Sequence, residues 1–262
     1  MEVVRANGLK IAYERVGDGS PLVLVHGAGL DSRMWQPQLV TLADEFTVVA
    51  WDEPGAGRSD DAPAGFGLAD YAHCLAAVID AVALGPAHVA GLSWGGTVVQ
   101  ELYWHHAERV ATLILAGSYA GWKGSLPAEE VEAHIEGVRK MLAAGERYDP
   151  PGLFAGEPPS EFASLLEEMT AAARPASLGA QLSVMAQTDQ RDLLPRITVP
   201  TLLIWGDSDA RSPLTVAGQF EDAIPGAGHV SNLEQPGPFN EAVRKFCRHH
   251  PPHVSSTGDR RM

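Results

Sequence analysis

AHVAGLSWGGTVVQELYWHH, residues 87–106, decides the reading of this chain. Ala87 to Ala90 is a short apolar run of strand type that ends at Gly91. From Thr97 to His105 the pattern becomes that of a helix. Between them stands Gly91-Leu92-Ser93-Trp94-Gly95-Gly96. A serine flanked by glycines at a strand-to-helix turn is the setting of a strained elbow that holds its hydroxyl above the sheet. The glycines are needed because the turn brings neighbouring backbones too close for a Cβ. The helix start then points free N–H groups and its positive dipole end toward charge developing at the serine. Ser93 is therefore the candidate nucleophile. A glycine-rich turn without chemistry is the plainer reading, and the strand and helix on either side weigh against it.

Working outward, the same apolar runs recur as Pro21 to His26 (PLVLVH), Thr47 to Trp51 (TVVAW), Thr112 to Ala116 (TLILA) and Thr201 to Trp205 (TLLIW). They are apolar on both faces, as strands covered by helices on both sides must be. Ile11 to Val16 follows the turn signal Asn7-Gly8 and predicts an opening antiparallel hairpin. Helical patterns fill the gaps at Met34 to Asp44, Leu68 to Leu84, Gly95 to His106, Leu214 to Ala223 and Pro238 to His249. Alternation of this kind predicts an α/β fold with a mostly parallel twisted sheet and helices on both faces.

Residues 119–194 break the alternation. They hold helical patterns at Pro127 to Ala144, Ser160 to Ala173 and Ser177 to Gln187, separated by Pro150-Pro151 and Pro158-Pro159. This predicts an all-helical cap over 119–194 on a core of 1–118 and 195–250, with a flexible tail at 251–262.

The chain has 262 residues, enough for one substantial core. Its formal charge of -14 argues against a nucleic-acid binder, which needs clustered Lys and Arg. Cys74 and Cys247 lie far apart and read as reduced thiols. No apolar run reaches the roughly 18 residues of a membrane span, and no secretory leader pattern opens the chain. The expectation is a cytoplasmic protein with no membrane or nucleic-acid partner, no cofactor and no metal site.

Three further loops carry candidate chemistry. His26-Gly27-Ala28-Gly29 follows the PLVLV run, with His26 read as bonding the loop backbone. Trp51 to Ser59 (WDEPGAGRS) holds acidic residues, but Asp52 and Arg58 read as bracing the turn rather than ligating a metal. Gly206-Asp207-Ser208-Asp209 follows the TLLIW run, and two carboxylates there, Asp207 and Asp209, compete to orient a histidine. Of ten histidines, His229 lies beyond that acid in a glycine-rich loop before the final helix. The order Ser93, acid, His229 suits a base that takes the serine proton and returns it to a leaving group.

HGAG (26–29), WDEPGAGRSD (51–60), GLSWGG (91–96), IWGDSDARSP (204–213) and GAGHVSNLEQP (226–236) occur in that order. The chain thereby resembles the α/β-hydrolase superfamily over nearly Val3 to Cys247, least so in the cap. The likeness is to capped serine esterases, enol-lactonases and cofactor-free haloperoxidase-like hydrolases. The resemblance implies the acid is Asp209, because Asp209 and Pro213 occupy the places of a G-x-x-D-x-x-x-P pattern. It implies that Ala28 and Trp94 supply the backbone N–H groups of an oxyanion hole. Trp94, Trp122 and Val230 are expected to line an apolar pocket for a small-molecule ester or lactone. The serine at 93 disfavours relatives that use an aspartate nucleophile, and GLSWGG lacks the asparagine of C–C bond hydrolases. An enol-lactonase, a C–C hydrolase and a non-catalytic receptor-like protein remain rival readings, and the natural substrate and oligomeric state stay open.

One stretch departs from the pattern. Relatives place an apolar strand before the histidine loop, whereas Phe220 to His229 runs straight from the helical pattern to the histidine. Only 20 residues separate Asp209 from His229. That is short by roughly 8 residues, about one strand and its turn. A deletion there predicts a sheet that lacks its last edge strand, and a shorter tether for His229.

Overall fold

The computed structural model describes residues 1–83, 85–144, 152–212 and 223–252. Eight strands form one sheet: β1 (Glu2–Ala6), β2 (Leu9–Val16), β3 (Ser20–Val25), β4 (Phe46–Trp51), β5 (Ala87–Leu92), β6 (Val110–Ala116), β7 (Thr201–Gly206) and β8 (Ala223–Ile224). Their spatial order is β1-β2-β4-β3-β5-β6-β7-β8. The opening hairpin turns through Asn7 and Gly8, both at positive φ, and pairs antiparallel, as does β2 with β4. Every other pairing is parallel.

The apolar runs are legible as strands because successive side chains feed opposite cores. Val23, Val25, Val49 and Val89 join a cluster with Tyr71, Leu75 and Val98. Leu22, Leu24, Val48 and Ala90 join a second cluster with Trp35, Phe239 and Val243 on the other face. The first face is covered by α2 (Leu68–Val82) and α3 (Trp94–His106). The second is covered by α1 (Gln36–Thr41) and the C-terminal helix Pro236–His249. Cys74 and Cys247 are free and buried, one in each cluster.

Between β6 and β7 the described residues form helices and no strand: α4 (Trp122–Ser125), α5 (Ala128–Ala144), α6 (Ala163–Ala172) and α7 (Pro175–Gln187). Leu178, Leu182 and Met185 of α7 join the first core, while Leu166 and Met169 of α6 join the second. This insertion therefore spans the top of the sheet from one face to the other.

Three expectations need correction. The sheet does not lose its last edge strand: Ala223 and Ile224 pair in parallel with Trp205 and Gly206, so the strand survives at two residues. Ala223 thus belongs to a strand rather than to the end of a helix, and 214–222 lie outside the described residues. The helix expected from Met34 to Asp44 is broken into a 3-10 turn at Ser32–Trp35, α1, and a 3-10 turn at Leu42–Asp44. Pro37 lacks an N–H and fixes its own φ, so it favours a helix start there over a continuous helix. Of the expected tail, 253–262 also fall outside the described residues. Among the described residues no helix is long and apolar enough to cross a membrane.

Candidate active site

β5 ends at Leu92 and α3 begins at Trp94, leaving Ser93 alone in the turn at φ 55, ψ −117. That conformation is costly for a side-chain-bearing residue, by about 1–3 kcal/mol, and persists only where its surroundings over-determine it. They do so here. The Ser93 N–H donates to the Ala116 carbonyl of β6 at 2.8 Å, and the Ser93 carbonyl accepts from Gly96 N–H at 2.9 Å. A Cβ at Gly95 would run into the Val25 carbonyl, and one at Gly96 into the Ser118 hydroxyl. Gly95→Ala is therefore expected to destabilise the protein by about 3 kcal/mol, since the obstructing atom is strand backbone that cannot rotate away. A fall in thermal midpoint by several degrees checks it, and an unchanged midpoint would refute the close approach.

Asp209 follows β7, and of the two carboxylates it is the one that His229 bonds. It is 5% exposed. Its Oδ1 accepts the N–H groups of Arg211 and Ser212 at 2.9 and 2.8 Å, and its Oδ2 accepts from His229 Nδ1 at 2.9 Å. Asp207 is exposed and instead accepts the Gly226 N–H at 2.8 Å, bracing the histidine loop.

The short tether of His229 is compensated by bonds along the loop. The Asp207 N–H donates to the Ile224 carbonyl at 3.1 Å and the Ser208 N–H to the Ala227 carbonyl at 3.0 Å. Glu234 Oε2 accepts the Gly228 N–H at 2.7 Å, and its Oε1 accepts the Ala155 N–H of the insertion at 2.7 Å. The Val230 N–H donates to the Leu153 carbonyl at 3.1 Å. Burial pushes the Glu234 carboxyl up, against the two backbone bonds that pull it down.

Ser93 and His229 line one cleft, with no hydrogen bond between them. Its empty space, mouth included, is about 390 Å³. Ala28, Trp122 and Val230 line it too, together with Tyr119, Leu182 and Met185. The Ala28 and Trp94 N–H groups have no acceptor among the described residues. The Trp94 side chain does not share the cleft, which corrects the expectation of an apolar lining role. Its indole is fully buried and donates to Glu53 Oε2 at 2.7 Å.

His26 and Asp52 act as the motif reading expected. His26 Nδ1 donates to the Gly27 carbonyl at 2.9 Å, and its Nε2 accepts the Glu53 N–H at 3.2 Å. Asp52 accepts the Ser32 and Arg58 N–H groups and the Arg58 guanidinium, each at 2.9 Å. Burial raises the Asp52 carboxyl, but these bonds outweigh it and hold the pKa below the usual value.

Three residues escaped the sequence reading. Gly117, at φ 50, makes room for the acid–base pair: a Cβ there would sit 3.1 Å from His229 Nδ1 and 3.2 Å from Asp209 Oδ2. Its position just past the TLILA run was the available signal. Glu53 and Gln181 bond each other across 128 positions of sequence, and no local pattern announces that.

The alpha/beta hydrolase family model matches residues 22–242. Among curated relatives, RutD of Azorhizobium caulinodans, named as a candidate carbamate hydrolase, is 31% identical over 253 residues, covering 90% of this chain and 94% of its own. The 3-oxoadipate enol-lactonase 2 of Acinetobacter baylyi is 28% identical over 263 residues, 94% of this chain and 96% of that protein. The solved esterase from Exiguobacterium antarcticum superposes with a TM-score of 0.81 at 25% identity, covering 94% of this chain and 98% of its own. A serine elbow on a mostly parallel sheet, an acid–histidine pair across the same cleft and a family match over most of the sequence agree: the chain belongs to the alpha/beta hydrolase family.

Proposed function

We propose that this hydrolase cleaves a small or medium, mostly uncharged carboxylic ester or lactone through an acyl-enzyme on Ser93. Ser93 Oγ attacks the carbonyl carbon while His229 takes its proton. The backbone N–H groups of Ala28 and Trp94 stabilise the oxyanion, and Asp209 holds the imidazole tautomer and balances its positive charge. His229 then protonates the departing alkoxide. Water, deprotonated by His229, attacks the acyl-enzyme and releases the acid and Ser93. The insertion acts as a cap, with Trp122 and Val230 contacting the substrate's apolar part. No step calls for a cofactor.

The observation that carries this reading is the His229–Asp209 bond of 2.9 Å in the cleft that Ser93 also lines. The missing Ser93–His229 bond is no obstacle, since such bonds are often long before substrate arrives. It is also what a second reading would use, a non-catalytic binding protein on the same fold.

A panel of p-nitrophenyl acetate and butyrate, aliphatic lactones and an aryl carbamate, with fluorophosphonate labelling, separates the two. Turnover on esters or lactones and a fluorophosphonate adduct on Ser93 are expected. Absence of both would establish the binding reading. Carbamate turnover without ester turnover would move the substrate class toward that of the RutD relative's name.

A further inference from the structure

Glu53 takes no part in the acyl transfer, yet its carboxyl is wholly buried against the machinery that performs it. Its Oε2 accepts the Trp94 indole N–H at 2.7 Å, and its Oε1 accepts Gln181 Nε2 of α7 at 2.6 Å. Gln181 is 1% exposed, and its Oε1 accepts the Gly29 N–H at 3.2 Å. The Glu53 N–H reaches His26 Nε2 at 3.2 Å, and His26 Nδ1 reaches the Gly27 carbonyl at 2.9 Å. These bonds close a circuit around Ala28, through Gln181 to Gly29 on one side and through His26 to Gly27 on the other. Trp94 hangs on the same carboxyl. Both proposed oxyanion donors are thus fixed through one side chain.

The circuit has a direction that chemistry dictates. The indole and the Gly29 N–H can only donate, so Gln181 must turn its oxygen to Gly29 and its amide nitrogen to Glu53. Glu53 then has to accept at both oxygens, which suits the carboxylate, whereas in the neutral acid one oxygen becomes a weaker acceptor and carries a proton that faces a donor. A proton on Oε1 is relieved by flipping the Gln181 amide, which sets its NH₂ against the Gly29 N–H and breaks that bond. A proton on Oε2 breaks the indole bond instead.

We infer that Glu53 is a positioning residue whose ionisation clasps the Gly27–Gly29 loop to helix α7 and whose protonation releases it. For its effect on rate this rests on the serine-hydrolase reading. Burial is the main cause that pushes the Glu53 carboxyl up to about 7. His26, whose Nδ1 lies 4.0 Å from Oε1, and the Trp94 bond pull it down, while Asp52 on its own loop pushes it up. From α2, the buried Tyr71 hydroxyl faces the same charge with no hydrogen-bond partner in the described structure. Gln181 is the facing polar group from α7. Above that pKa the clasp is closed, and below it the clasp is open.

The test is NMR of the Trp94 indole and Gly29 amide signals, titrated about two pH units either side of the ordinary neutral range. Both signals are expected to move together with a midpoint near 7. Glu53→Gln should leave neither moving. Gln181→Leu should keep the indole titration and abolish that of Gly29. Static signals in the wild type, an unchanged titration in Glu53→Gln, or a Gly29 response that survives Gln181→Leu would each overturn the clasp. On p-nitrophenyl butyrate, Glu53→Gln should lower kcat about tenfold with KM nearly unchanged, and remove one acid-side step from the pH profile. If the wild type turns over no substrate, the hydrolase reading fails while the two NMR signals still decide the clasp.

Discussion

Ser93→Ala is expected to lower kcat for ester hydrolysis by about 10⁵-fold with the fold and KM nearly unchanged. The substitution removes the hydroxyl oxygen alone. Alanine keeps the Cβ, so it meets the same crowding at φ 55 that serine already tolerates, and the backbone bonds to Ala116 and Gly96 remain. What disappears is the atom proposed to form the acyl bond, while the proposed oxyanion donors, the Ala28 and Trp94 N–H groups, remain. A residual rate of about 10³ over water is consistent with those groups acting alone. Steady-state kinetics beside a circular dichroism spectrum measures both halves. Retention of more than about a hundredth of the wild-type kcat would assign the nucleophile elsewhere.

Asp209→Asn is expected to cost about 10⁴ in kcat, and the reason lies in which oxygen is already committed. Oδ1 accepts two backbone N–H groups, from Arg211 and Ser212. The asparagine must keep its only carbonyl oxygen there, so its amide nitrogen faces His229 Nδ1. A donor facing Nδ1 forces the proton onto Nε2, the atom that has to accept from Ser93. The imidazole is then held in place in the wrong tautomer. A kcat loss below tenfold would show that Asp209 does not set the tautomer, and would return Asp207 to consideration.

The parts of the fold legible in the sequence are those in which one segment carries its own signal. Val23 and Leu24 face opposite cores, and that double burial is why PLVLV reads as an uninterrupted apolar run. β8 escapes such reading because two residues joined by backbone bonds need no apolar pattern. Ser93, His229 and Ala28 each sit in a glycine-marked loop, and the elbow needs its glycines for steric reasons visible in the letters. Choosing Asp209 over Asp207 needed the family likeness, since both carboxylates have the same sequence neighbours. The indole of Trp94 meets Glu53 only when the loops after β4 and β5 come together, and Glu53 meets Gln181 only when the insertion folds onto the sheet. Gly117 is marked only by its place at the end of the TLILA run, because the side chains it makes room for arrive from two distant loops.

The two-residue β8 divides the candidate site between regions of unequal opening free energy. Ser93 hangs on β5 and β6, which sit within the sheet and rise or fall with global unfolding. His229 follows a strand two residues long and is held largely by loop bonds to Asp207, Ser208, Glu234 and Leu153. Segments tied in this way form separate cooperative units that exchange their amide hydrogens through sub-global openings. Amides around Gly228 should therefore exchange well before those of β5. Thermal inactivation should begin while the sheet is still intact, with the base leaving the site ahead of the nucleophile.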